Sequence, residues 1–152
     1  MAATIGQAAP DFSLPDQDNN MVSLADLRGQ KAIIVFIPNP FTGICEGELC
    51  AIRDETANLA GLGAKVIAIT VNTRPVNKKW SDENRFGFPV LSDYWPHGAT
   101  AQAYGAFNEQ VGVANRYSYV LDAAGVVRQI IKSDSLGQPR PIEEYATALR
   151  SF

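Results

Sequence analysis

The chain is poor in residues on which many activities depend. Its 152 residues include one histidine, His97, and two cysteines, Cys45 and Cys50. Paired metal-ligand spacing is therefore missing, and a Cys/His or Ser/His/Asp hydrolase would have only His97 as its base, with nothing tying it to Cys45. His97 reads as a helix-start or interface residue rather than a ligand. Lys and Arg number 13 against 16 Asp and Glu, for a net charge of −3 without a basic run. That leaves no electrostatic footprint for nucleic acid. The longest purely apolar run, Ala32 to Ile37, is far too short to span a bilayer, and the start MAATIGQAAPDF has neither a positive cluster nor an apolar signal core. These absences predict a soluble, cytoplasmic protein with no metal or other cofactor, acting on small molecules or proteins. In a reducing compartment both cysteines are expected to be thiols at rest, and a disulfide between them would be transient and catalytic rather than structural.

No repeat, low-complexity segment or Gly/Ser linker interrupts the sequence, so residues 1–152 are expected to form one domain. Pro10–Leu14 and Met21–Leu24 alternate apolar and polar residues around the turn cluster Asp16–Asn20, which predicts an N-terminal β-hairpin. Ala32–Ile37 and Ala64–Val71 are nearly continuous β-branched runs, expected of central strands covered on both faces. Between them Cys45, Leu49, Ile52, Thr56 and Leu59 fall on one stripe of a helix predicted over Gly43–Leu59. Further helices are expected over Pro75–Gly87, His97–Phe107 and Pro141–Leu149, and strands over Phe88–Ser92, Tyr117–Leu121 and Val126–Ile131. This order implies an α/β fold with a central mixed sheet flanked by helices on both faces. The junction after Ile37 then lies at the carboxyl end of a central strand, where sites in open α/β sheets form.

That junction reads PNPFTGICEGELC from Pro38 to Cys50. Pro38 and Pro40 stop the strand, and Thr42 is a suitable N-cap, which places Cys45 in the first helical turn. Unpaired N–H groups and the positive end of the helix dipole favour a thiolate there. Glu46 and Glu48 oppose it, so a thiolate site would need a cation from elsewhere in the fold. Ionising a thiol of pKa about 8.5 gains only on the order of ten- to thirtyfold in thiolate at neutral pH, partly lost to lower nucleophilicity. A fast thiol enzyme also needs donors for charge developing in the transition state, and a hydroxyl such as Thr42 and an arginine fork are suitable. The residues alone also admit two ordinary buried core thiols. A thioredoxin-like disulfide oxidoreductase would want Cys-x-x-Cys, whereas the spacing here is Cys-x4-Cys.

Pro38-Asn-Pro-Phe-Thr42-Gly-Ile-Cys45 resembles the Pro-x-x-x-Thr-x-x-Cys motif of the peroxiredoxins. The resemblance extends along the chain through Ala9-Pro-Asp-Phe12, Phe88-Pro-Val-Leu-Ser-Asp93, Trp95-Pro-His-Gly98, Ala103–Gln110 and Ala114-Asn-Arg116, and is closest to the alkyl hydroperoxide reductase E type. It implies a thioredoxin-like fold and a thiol-specific peroxidase that reduces hydrogen peroxide and organic hydroperoxides. By the resemblance Cys45 is the peroxidatic nucleophile, Thr42 hydrogen-bonds the sulfur and the peroxide oxygen, Pro38 shields the site, and Arg116 supplies the cation. It further implies a thiol reductant (thioredoxin, a glutaredoxin-like protein or a low-molecular-weight thiol) and a homodimer or larger assembly through the region of Tyr94, Trp95, Pro96 and His97. A redox-regulated interaction or holdase module is the non-catalytic alternative.

Cys50 departs from the E type, where this position need not be a thiol, and matches the peroxiredoxin Q, or bacterioferritin comigratory protein, spacing of a resolving cysteine. On a helix, residues five apart lie roughly 140° apart around the axis with Cα atoms roughly 8–9 Å apart, whereas a disulfide needs less than about 7 Å. A Cys45–Cys50 bridge would therefore require the first turns of the helix to unwind, and Gly43 and Gly47 make that less costly. The alternative is an inert Cys50 with an external thiol as resolver.

Overall fold

The two β-branched runs form the middle of a five-stranded sheet in the computed structural model, which describes residues 2–152. β1 (Ser13–Pro15) and β2 (Met21–Ser23) make the N-terminal hairpin, followed by a 3-10 turn at Leu24–Leu27. Then come β3 (Lys31–Phe36), α1 (Gly43–Gly61), β4 (Ala64–Thr70), α2 (Arg74–Asn84), β5 (Val90–Ser92) and α3 (Ala99–Tyr104). β6 (Phe107–Asn108) pairs with β7 (Val113–Ala114), and β8 (Tyr117–Leu121), β9 (Val127–Lys132) and α4 (Glu143–Arg150) complete the chain. The sheet order is β5-β4-β3-β8-β9, with β3, β4 and β5 parallel and β8 and β9 antiparallel additions. This is the mixed, helix-flanked α/β sheet that the element order implies, with the thioredoxin-like character that the resemblance implies.

Alternation along the central strands divides the core into two layers, because successive side chains leave a strand on opposite faces. Ile33, Val35, Ile37, Val66 and Ala68 pack with Leu49, Ile52 and Leu59 of α1 and Tyr145, Ala148 and Leu149 of α4. Ile34, Phe36, Ile67 and Ile69 face the other way, onto Ala101 and Tyr104 of α3 and the N-terminal Phe12, Leu14, Leu24 and Leu27. α2 lies along β5, fixed by a buried amide: Thr70 Oγ1 donates to Asn77 Oδ1 at 2.7 Å, and Asn77 Nδ2 donates to the Leu91 carbonyl at 3.3 Å. Among the described residues no helix is long and apolar enough to cross a membrane.

Boundaries differ from expectation where local backbone chemistry prevails. α2 stops at Asn84 because Arg85 turns left-handed, at φ 52°. The helix expected over His97–Phe107 is confined to Ala99–Tyr104 between Gly98 at φ 67° and Gly105 at φ 79°, two left-handed glycines that end it on both sides. Phe107 instead enters the β6–β7 hairpin, whose two-residue strands are too short to carry a periodic signal.

Candidate active site

The stretch after β3 turns sharply before α1 begins. Pro38 and Pro40 are buried, and Phe41 between the second proline and the helix adopts φ 61°, a left-handed conformation that costs a non-glycine residue about 1–2 kcal/mol. Its half-exposed ring lies 6.3 Å from the centroid of Trp80 on α2. Thr42 occupies the N-cap position with extended backbone, φ −116° and ψ 147°, but its side chain does not cap the helix. The hydroxyl instead donates back to the Asn39 carbonyl at 2.8 Å, which leaves its oxygen lone pairs directed outward as acceptors and corrects the expected capping role. The backbone itself closes the first turn, with Glu46 N donating to the Thr42 carbonyl at 2.9 Å.

Cys45 follows in that first turn, fully buried within the layer formed by Ile37, Leu49 and their neighbours. Three residues on, and so on the same side of the helix, the buried Glu48 carboxylate points away from solvent into two guanidinium groups. Arg116 Nη1 donates to its Oε1 at 2.7 Å, and Arg140 grips both oxygens, Nη2 to Oε1 at 2.9 Å and Nε to Oε2 at 3.0 Å. The Arg140 backbone N–H adds a further bond to Oε2 at 2.6 Å. Burial pushes the Glu48 carboxyl up, but the hydrogen bonds and charge of Arg140, reinforced by Arg116, outweigh it and hold the group below the ordinary carboxylate range. Arg140 also donates to the Phe36 carbonyl at 2.8 Å and Ser118 Oγ at 3.2 Å, while Arg116 Nε donates to the Leu136 carbonyl at 2.6 Å. The arginines are thus held in place by the ends of β3, β8 and the loop before α4.

This arrangement corrects the expectation that Glu48 burdens the site with negative charge. One carboxylate between two guanidiniums leaves a local net positive charge one helical turn from Cys45. Glu46 is likewise engaged, accepting from Trp80 Nε1 and Asn84 Nδ2, each at 3.1 Å. Arg116 stands where expected, immediately before β8. Arg140 was not singled out from the sequence; its only signal is a lone charge bracketed by Pro139 and Pro141 ahead of a helix.

Cys50 lies on the intact α1, partly buried, with its thiol directed at Asn84 Oδ1 at 3.7 Å. Burial pushes this thiol up; the nearby Arg53 lowers it, and Glu46 and Asp54 raise it further. Both cysteines are free thiols, and helical geometry keeps them apart. Between α1 and the start of α4 an apolar cleft of about 290 Å³ is lined by Ile44, Gly47, Ala51 and Ile52 on one side and Pro139, Ile142 and Tyr145 on the other, and Glu48 and Arg140 lie at its wall. His97 Nε2 lies 2.7 Å from the Gly112 carbonyl and its ring packs edge-on to Phe107. Tyr94 and Trp95 beside it are exposed.

A cysteine in the first turn of the helix that follows a central strand, three residues before a buried carboxylate held by two arginines, defines the class: a thioredoxin-like α/β protein with a candidate thiol site. Residues 5–130 match the AhpC/TSA family, and the chain belongs to that family. It is 47% identical over 125 residues to alkyl hydroperoxide reductase E of Mycobacterium tuberculosis, covering 82% of each chain. Among solved structures it is similar to Enterococcus faecalis AhpC, with TM-score 0.88 and 28% identity over 98% of this chain and 92% of that one. It is also similar to peroxidoxin BcpB from Mycobacterium tuberculosis, with TM-score 0.87 and 26% identity over 99% and 98%. The protein is a peroxiredoxin, a thiol peroxidase. Arg140 lies beyond the matched residues.

Proposed function

We propose that Cys45 reduces hydrogen peroxide and organic hydroperoxides by attacking the distal peroxide oxygen. The observation that carries this reading is the buried Glu48, clamped by Arg116 and Arg140 one turn from the sulfur. The Cys45 thiolate displaces alcohol or water and becomes a sulfenic acid. Arg116 stabilises the thiolate and the charge developing on the peroxide, and Arg140 positions Glu48 so that Arg116 is held rigidly. Thr42, whose hydroxyl proton is committed to Asn39, has lone pairs free to accept from the peroxide O–H. Buried Pro38 keeps bulk water from the sulfur. The apolar cleft beside Ile44 and Gly47 suits the alkyl portion of an organic hydroperoxide, in keeping with the name of the mycobacterial relative.

Cys50 resolves the sulfenic acid as an intramolecular disulfide, which a thiol reductant (thioredoxin, a glutaredoxin-like protein or a low-molecular-weight thiol) then returns to two thiols in the cytoplasm. The exposed Tyr94 and Trp95 support a homodimer through that face, which light scattering at micromolar concentration tests; a purely monomeric species overturns it. Non-reducing peptide mapping after one equivalent of peroxide tests the chemistry. The expected product is a Cys45–Cys50 linked peptide, absent in Cys50→Ser. A Cys45→Ser variant that still consumes peroxide overturns the nucleophile assignment. A Cys50→Ser variant that cycles undiminished with the same reductant overturns resolution by Cys50 alone.

A further inference from the structure

Three side chains at the start of α1 converge on one short face of α2. Phe41 packs against the Trp80 ring, Glu46 Oε1 accepts from both Trp80 Nε1 and Asn84 Nδ2, and the Cys50 thiol meets Asn84 Oδ1. Trp80 and Asn84 are one helical turn apart, and Asn84 Nδ2 also donates to the Trp80 carbonyl at 3.0 Å, which ties the two receptors together. This face is itself closely packed. Trp80 is fully buried with its ring 5.0 Å from Phe86, and α2 is pinned to β4 and β5 through Asn77. The α1 segment has the opposite character. Phe41 holds a left-handed backbone, and Gly43 and Gly47 are glycines without a steric reason: neither has positive φ, and a Cβ at either would meet nothing within 4 Å. Glycine there lowers the helix propensity of the turns that contain Cys45.

We propose that the Trp80–Asn84 face of α2 is a latch on the first two turns of α1, that Glu46 is the positioning residue that closes it, and that its release sets the rate of Cys45–Cys50 disulfide formation. The inference rests on the resolving role of Cys50 for its chemical consequence, though the latch itself does not. In the resolving step the Cys50 sulfur attacks the sulfenic sulfur of Cys45, the S–S bond forms, the S–O bond breaks, and the Cys50 proton leaves with the sulfenic hydroxyl as water. No further oxidant is consumed. The sulfurs cannot meet until α1 unwinds, and unwinding must break the Glu46 contacts and move Cys50 from Asn84. Glu46 therefore sets how long the sulfenic acid stays exposed to a second peroxide.

Amide hydrogen exchange over residues 44–50 of the reduced protein and rapid-quench mapping of the disulfide after one equivalent of hydrogen peroxide test the latch together. Glu46→Ala loses the acceptor and is expected to speed exchange and disulfide formation by on the order of tenfold, the scale of a lost charge-assisted hydrogen bond. Glu46→Gln retains a neutral acceptor oxygen and is expected to give rates between those of Glu46→Ala and the wild type. Gly47→Ala stiffens the same turns and slows both processes by roughly fivefold. Unchanged exchange in Glu46→Ala overturns the latch, whatever Cys50 does. Faster exchange with an unchanged disulfide rate overturns release as the rate-setting step. A wild type that exchanges as described but forms no disulfide overturns the resolving role of Cys50 and the rate-setting step with it.

Discussion

Neutralising Glu48 without changing its shape exposes what the buried triad contributes. In Glu48→Gln the two guanidiniums lose the carboxylate that accepts four donors, at 2.7 Å from Arg116 and 2.9, 3.0 and 2.6 Å from Arg140. The Glu48 and Arg116 side chains are each 4% exposed and that of Arg140 is 0% exposed, so water cannot replace the lost partner. Uncompensating one side of a buried pair costs about 3–5 kcal/mol. Glutamine keeps one accepting oxygen, which places the expected loss near about 3 kcal/mol, or roughly 6–12 °C in Tm for a domain of this size. Thermal melts of the reduced protein at pH 7 read it, with the exposed Glu109→Gln as a control. Because Glu48 is held below its ordinary value in the folded state, its contribution is fully present above the unfolded value near about pH 4.3 and is lost as pH falls through the lower folded value. The gap between wild type and Glu48→Gln must therefore be flat from pH 5 to 7, as those two values dictate, and must close only below that window. A melt within about 2 °C of wild type at pH 7 would refute a stabilising carboxylate there.

Arg116→Met removes the guanidinium proposed to serve Cys45 while Arg140 still holds Glu48. The stopped-flow rate of Cys45 with hydrogen peroxide is expected to fall by about 10²–10³, the scale for loss of one transition-state donor. A fall of less than about threefold would leave Arg116 a structural residue only. Gly98→Ala forces alanine into φ 67° with its Cβ driven into the Phe107 ring. Melts should show destabilisation of about 2 kcal/mol or more from combined strain and overpacking, and an unchanged Tm would contradict the described approach of Phe107.

The sheet was legible because its signals are strong and local. The β-branched blocks of β3 and β4 are continuous, and the stripe of Cys45, Leu49, Ile52 and Leu59 is buried as its spacing requires, with Thr56 at its half-buried margin. The placement of Cys45 in the first helical turn also follows from local chemistry, since two prolines and a threonine leave few other starts for α1. What the sequence did not carry is direction. Glu46 and Glu48 look alike as charges near Cys45, yet residues two apart on a helix face different ways, so one meets α2 and the other meets the arginines. Arg140 was illegible for a different reason: its partners are Phe36, Glu48 and Ser118, and contacts across such separations leave no pattern in any window of sequence.

That separation has a consequence for how the enzyme is made. Arg140 stands 92 residues after the carboxylate it grips. A ribosome delivers Glu48 long before it delivers either guanidinium, so the carboxylate has neither of its buried partners until Arg116 and then Arg140 are made. The surroundings of the proposed nucleophile are complete only when the Pro139–Pro141 segment docks at the end of β3, where Arg140 meets the Phe36 carbonyl.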